Sequence, residues 1–184
     1  MNVGYAVVAA VSLTWAVSTG WATDLPKEGI KGEALNAAFR PLGITIYAPQ
    51  DQPVVMIDSQ DVYAGAAVSG ARGDVVLVQQ GGHPCHYTME WDKAQTTISF
   101  NRSRLLAGPS GITHPVWTAT AQNDAGQVLD SVGEAEIRSY SNIPANRFTL
   151  SGAGIKRVVF WGDDKGFDAF CNVIIDTVNT ITPQ

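Results

Sequence analysis

Most of this chain is a succession of short β-branched and aromatic runs broken by Gly, Pro, Asp and Asn, and no long helical period interrupts them. Residues of these types fit the pleated, half-buried surface of a sheet. In the first half Gly43-Ile44-Thr45-Ile46-Tyr47 and residues 54–57, 74–78 and 96–100 predict strands. In the second half residues 116–121 and 127–132 flank Asn123-Asp124-Ala125-Gly126, a turn composition that predicts a β-hairpin. Residues 147–150, 156–161 and 172–178 bring the set to about nine or ten strands, spaced as in a sandwich or barrel. The exception is the stretch from Glu33 to Phe39, whose helix formers predict one short N-terminal helix that Pro41 stops. Strands in this number without intervening helices disfavour a parallel βαβ architecture and point to an all-β, antiparallel fold.

The N-terminus carries a different signal. Val3 to Val17 is almost wholly apolar and leads into Ser18-Thr19-Gly20-Trp21-Ala22, the small-residue pattern of a cleavage site. The expectation is a signal peptide over residues 1–22 and a single domain over residues 23–184, exported to the periplasm or beyond the cell. The alternative is an N-terminal anchor, but an apolar run of ~15 residues falls short of the ~20 a membrane span needs. No membrane association is therefore expected once the leader is removed. With 12 Lys and Arg against 17 Asp and Glu, a net charge of -5 and a pI near 5.0, the chain has no basic patch to neutralise phosphates, so no nucleic-acid partner is expected. Export would place Cys85 and Cys171 in an oxidising compartment. One disulfide between them is the first expectation, worth ~4 kcal/mol in the chain-entropy model, and two buried thiols the second.

The last third of the chain carries a family resemblance. Phe148-Thr149-Leu150, the run Gly154-Ile155-Lys156-Arg157-Val158-Val159-Phe160-Trp161-Gly162, and after a polar loop Val173-Ile174-Ile175-Asp176 resemble the closing strands of exported bacterial sandwiches of the galactose-binding-like, jelly-roll type. The hairpin from Trp117 to Val132 and the early strand Gly43-Ile44-Thr45-Ile46 stand in the order such proteins show. The resemblance implies a jelly-roll β-sandwich covering most of the chain. Many such proteins end in a surface-sorting tail, whereas this chain stops at Thr182-Pro183-Gln184, so anchoring by that route is not expected. Similar modules often hold a structural calcium, and the acidic loop with Asp163, Asp164 and Asp168 is the candidate for it, although its spacing is not that of an EF-hand. No other cofactor is expected.

Catalytic constellations are sparse. Gly108-Pro109-Ser110-Gly111 with His114 nearby lacks the spacing and context of a nucleophile elbow. Asp130 with Glu134, or Asp58 with Asp61, could supply the two carboxyls of a glycosidase, but no spacing pairs them. His83-Pro84-Cys85-His86 packs three metal-ligating residues into four positions without a fourth ligand in reach, and reads as a polar loop. Aromatic residues carry the remaining signal, because flat Trp and Tyr faces stack on the apolar faces of sugar rings while polar neighbours take the hydroxyls. Trp91 sits among Glu90, Asp92 and Lys93, and Tyr140 among Arg138, Ser139 and Ser141. Both are expected to be exposed and to bind ligand, with Asn142 and Asp163 as polar partners, whereas Trp117 and Trp161 are assigned to the core. Asn101-Arg102-Ser103 matches the glycosylation sequon. The function these features predict is a non-catalytic, exported binding module for carbohydrate or a similar polar ligand. The alternatives are a structural or adhesive secreted protein and, behind it, a glycan-cleaving enzyme.

Overall fold

A computed structural model describes residues 11–14, 30–31, 33–40, 43–49, 52–58, 75–79, 85–104, 112–114, 116–139, 143–162 and 175–181. In chain order the elements are β1 (Val11–Thr14), β2 (Ile30–Lys31), α1 (Glu33–Phe39), β3 (Ile44–Tyr47), β4 (Val54–Asp58), β5 (Val75–Gln79) and β6 (Cys85–Arg102). They continue with β7 (Ile112–His114), β8 (Trp117–Gln122), β9 (Val128–Glu134), β10 (Ile137–Ser139), β11 (Asn146–Gly162) and β12 (Ile175–Ile181). Every strand pairing among them is antiparallel. The fold is an all-β, antiparallel sandwich with one short helix among the described residues.

Two long strands make the sandwich. β6 has 18 residues and β11 has 17, and they pair along almost their whole length. Midway the register breaks twice, between Ser151 and Ile155 and between Ile155 and Arg157. Extra residues on one strand of a pair bend it and sharpen its twist, and Gly154 takes the positive φ of 86° that this corner requires. Below the corner, residues 97–102 and 146–151 join β12, β5 and β4; above it, residues 85–91 and 157–162 join β3, β8 and β9. One continuous sheet thus folds into two layers.

Aromatic rings fill the space between the layers. Phe148 of the lower layer meets Trp117 of the upper edge to face at 4.8 Å, Phe100 meets Phe160 at 5.2 Å, and Tyr87 stacks on Phe160 at 4.7 Å. Such pairs add ~0.5–1.5 kcal/mol each beyond their area burial. Leu35 and Phe39, one helical turn apart, place α1 against this core. Asn36 then locks the helix to β3, its side chain donating to the Ile46 carbonyl and accepting from the Ile46 amide.

Strand phase corrects two expectations. Tyr87, Met89 and Trp91 point inward from β6, and Trp91 is 3% exposed, so it belongs to the core and not to a loop. Its charged neighbours lie on the opposite face, as successive strand residues must. On β11 Val158 and Phe160 take the inward positions, which turns Trp161 outward with 42% of its surface exposed, against its assignment to the core. Trp117 is buried as expected. The hairpin of β8 and β9 and the helix stand where the sequence puts them. Residues 147–150 and 156–161, by contrast, are one strand instead of two, and the strand expected at 96–100 begins at Cys85.

The Tyr87 hydroxyl is buried with no hydrogen-bond partner among the described residues, and burial pushes the phenol well above its ordinary range. The fold therefore holds the neutral phenol while the unfolded chain ionises it above pH ~10. This contribution to stability is complete below that value and is lost as the pH rises beyond it. Tyr87→Phe should flatten the alkaline fall in stability. At neutral pH it should unfold at equal or higher urea concentration, since an unsatisfied buried hydroxyl costs ~1–3 kcal/mol. A variant clearly less stable at neutral pH would show that the hydroxyl has a partner.

Candidate functional site

The outer face of the upper layer gathers what the core excludes. Register places Tyr47 of β3 beside Thr88 of β6, and Trp161 of β11 between His86 of β6 and Thr118 of β8. The next rank along the strands holds Thr88, Val159 and Thr120, and the one after it Glu90, Arg157 and Gln122. Tyr47 is 54% exposed and Trp161 42%, with His86 exposed as well. The two rings stand two strands and one side-chain repeat apart, on the order of 12 Å between Cα atoms at ordinary sheet spacing. Around them lie hydroxyls, an imidazole, a carboxylate, a guanidinium and an amide.

The platform is held from beneath. Gln79 of β5 is fully buried, and its side chain accepts from the His86 amide at 2.7 Å and donates to the carbonyls of His86 and Gln52. Trp161 lies on a strand flanked on both sides. Its aromatic neighbour inside the sheet, Phe160, is wedged between Tyr87 and Phe100. An exposed aromatic on such a strand is presented rigidly, which lowers the ordering cost of binding.

The residues singled out from the sequence are distributed differently. Trp91 is under the platform, with its indole N–H unpartnered among the described residues. Tyr140, Asn142, Asp163, Asp164 and Asp168 lie outside the described residues, as do His83, Ser110 and Cys171. Cys85 opens β6 opposite Gly162. Among the described residues no group of three or more His, Cys, Asp or Glu is arranged to hold a metal ion. The Asp130 and Glu134 carboxylates are both engaged by the fold: Asp130 by the amides of Ser131 and Ser151, Glu134 by Arg102, Trp117 and Asn146. Asn101 of the sequon sits inside β6 between Arg147 and Thr177, followed by buried Arg102 and Ser103, and is not a surface-loop acceptor. Tyr47 and Trp161 are the residues sequence reading missed as ligand candidates. The signal that finds them is strand phase, since Ile44 and Ile46 inward require Tyr47 outward.

No protein-family model matches the chain, and no curated protein matches its sequence. Among solved structures it is similar to the K2 cleaved adhesin domain of Lys-gingipain, with a TM-score of 0.45 and 12% identity over 76% of this chain and 90% of that one. It is also similar to a variant of the family 29 carbohydrate-binding module CBM29-2, with a TM-score of 0.35 and 12% identity over 76% of this chain and 92% of the other. A third is chitosan-binding module 1 from a chitosanase/glucanase of Paenibacillus sp. IK-5, with a TM-score of 0.35 and 14% identity over 67% and 96% of the two chains.

Proposed function

We propose that this protein is an exported, non-catalytic carbohydrate-binding module, and that its ligand lies on the outer face of the upper layer. The observation that carries the reading is the exposure of Trp161 and Tyr47 on one rigid sheet face, with hydrogen-bonding side chains between and around them. Exposed rings of this size leave apolar area in water that a pyranose face can cover, at about 25 cal/mol per Å² buried. Thr88, Thr118, Thr120 and Gln122 offer donors and acceptors to hydroxyls, and Glu90 and Arg157 offer charge-assisted bonds. The apolar run that ends in the small-residue pattern at Ala22 supports export, and calcium in the loop with Asp163, Asp164 and Asp168 would serve structure.

A glycan-array screen of the protein, with and without calcium, tests this. Selective binding to one class of glycan, competed by the free sugar, is the expected result. Binding to none of the arrayed glycans in either condition would sink the proposal.

A further inference from the structure

One edge of the sheet is covered by a segment that export would remove. β12 is flanked on one side by β6, with Thr177 opposite Asn101 and Thr180 opposite Ile98. On its other side β1 runs antiparallel to it, Val11 opposite Thr180, Ser12 opposite Asn179, Leu13 opposite Val178 and Thr14 opposite Thr177. All four residues of β1 lie within the apolar leader that ends at Ala22. Leader removal therefore strips this strand and leaves the main-chain groups of residues 177–180 unpaired along that side. Sheet edges are ordinarily blunted by charge, Pro, a bulge or a covering group. β3 has such a cover in the Asn36 side chain, which takes both main-chain groups of Ile46. Thr177-Val178-Asn179-Thr180 is uncharged, free of Gly and Pro, and mostly β-branched.

We infer that in the processed protein this edge pairs with the same edge of a second copy, replacing β1 by a partner's β12. A two-fold axis between Val178 and Asn179 makes the pair antiparallel, the sense in which β1 already fits, and isologous. Thr177 then faces the partner's Thr180, Val178 the partner's Asn179, and Asp176 the partner's Ile181. No like charges are opposed in this register, and β5, which meets β12 on the same side at Ile175, lies outside the 177–180 span. The platform of Trp161 and Tyr47 lies in the other layer and stays open, giving a dimer with two ligand faces and the avidity that follows from them. The inference rests on export with leader removal, though not on the ligand.

The test uses the whole chain produced in a cell that exports it, followed by intact mass and sedimentation equilibrium at high micromolar concentration. The expected result is a mass starting at Thr23 and sedimentation as a dimer. T177K/T180K sets like charges opposite each other across the axis and should sediment as a monomer, whereas T177K/T180E restores attraction and should remain a dimer. Amide exchange needs no variant: diluting the parent should speed exchange at 177–180 and leave 85–91 unchanged. A chain of the processed mass that stays monomeric, or exchange at 177–180 that ignores dilution, overturns the pairing alone. A mass that retains residues 1–22 overturns the leader reading with it, because β1 then keeps the edge.

Discussion

Glu134→Ala should destabilise the protein by about 3–5 kcal/mol, lowering Tm by roughly 6–20 °C for a domain of this size. The Arg102 side chain is 2% exposed and that of Glu134 10%, and the carboxylate accepts from Arg102 Nε at 2.8 Å and from a second guanidinium nitrogen at 2.9 Å. Trp117 Nε1 donates to the same carboxylate at 2.8 Å and Asn146 Nδ2 at 3.2 Å, while Arg102 also donates to the carbonyls of Ser103 and Pro144. The ends of β6 and β9, the start of β8 and the start of β11 thus meet at one carboxylate. Removing it strands a guanidinium and an indole N–H inside the protein, and an uncompensated buried charge costs more than the intact pair contributes. R102L/E134L removes both charges and should recover much of the loss. Urea titrations of the three proteins check this. A single variant within 1 kcal/mol of the parent would show that the clasp is incidental.

The short strands and the hairpin were legible because their signals are local. β8 and β9 are announced by their own alternation and by the turn between them, and α1 by its helix formers before Pro41. The two long strands were not, because their continuity is a property of their pairing. Ser151-Gly152-Ala153-Gly154 has the composition of a turn, yet pairing with β6 carries β11 through it as a bulged corner. The first half of β6 was hidden by Glu90, Asp92 and Lys93, charges that mark a loop when read along the chain. Taken at a period of two, Glu90 and Asp92 are the outer face of a strand whose inner face is Tyr87, Met89 and Trp91. The clasp was beyond sequence reading altogether, since Arg102 and Glu134 are 32 residues apart and only the folded sheet brings them together. The same one-residue phase that hid Trp91 in the core also hid Trp161 on the surface.

Trp161→Ala should weaken glycan binding by roughly tenfold or more, and Trp161→Ala with Tyr47→Ala by roughly a hundredfold. The scale comes from aromatic hot spots, which cost at least ~1.4 kcal/mol each when truncated. Stability should hardly change. Tyr47 and Trp161 are 54% and 42% exposed, so truncation opens no cavity and should stay within about 1 kcal/mol of the parent. Trp91→Ala is the counterpart, because it empties a core site 3% exposed and should cost about 3–5 kcal/mol. Calorimetric titration with the glycan selected on the array, beside thermal melts of all variants, separates the two kinds of tryptophan. On the proposed platform, affinity and stability move independently: Trp161 carries binding without folding, and Trp91 folding without direct contact. If Trp161→Ala and Tyr47→Ala bind like the parent, the outer sheet face is not where the ligand lies, and exposure of these two rings needs another cause.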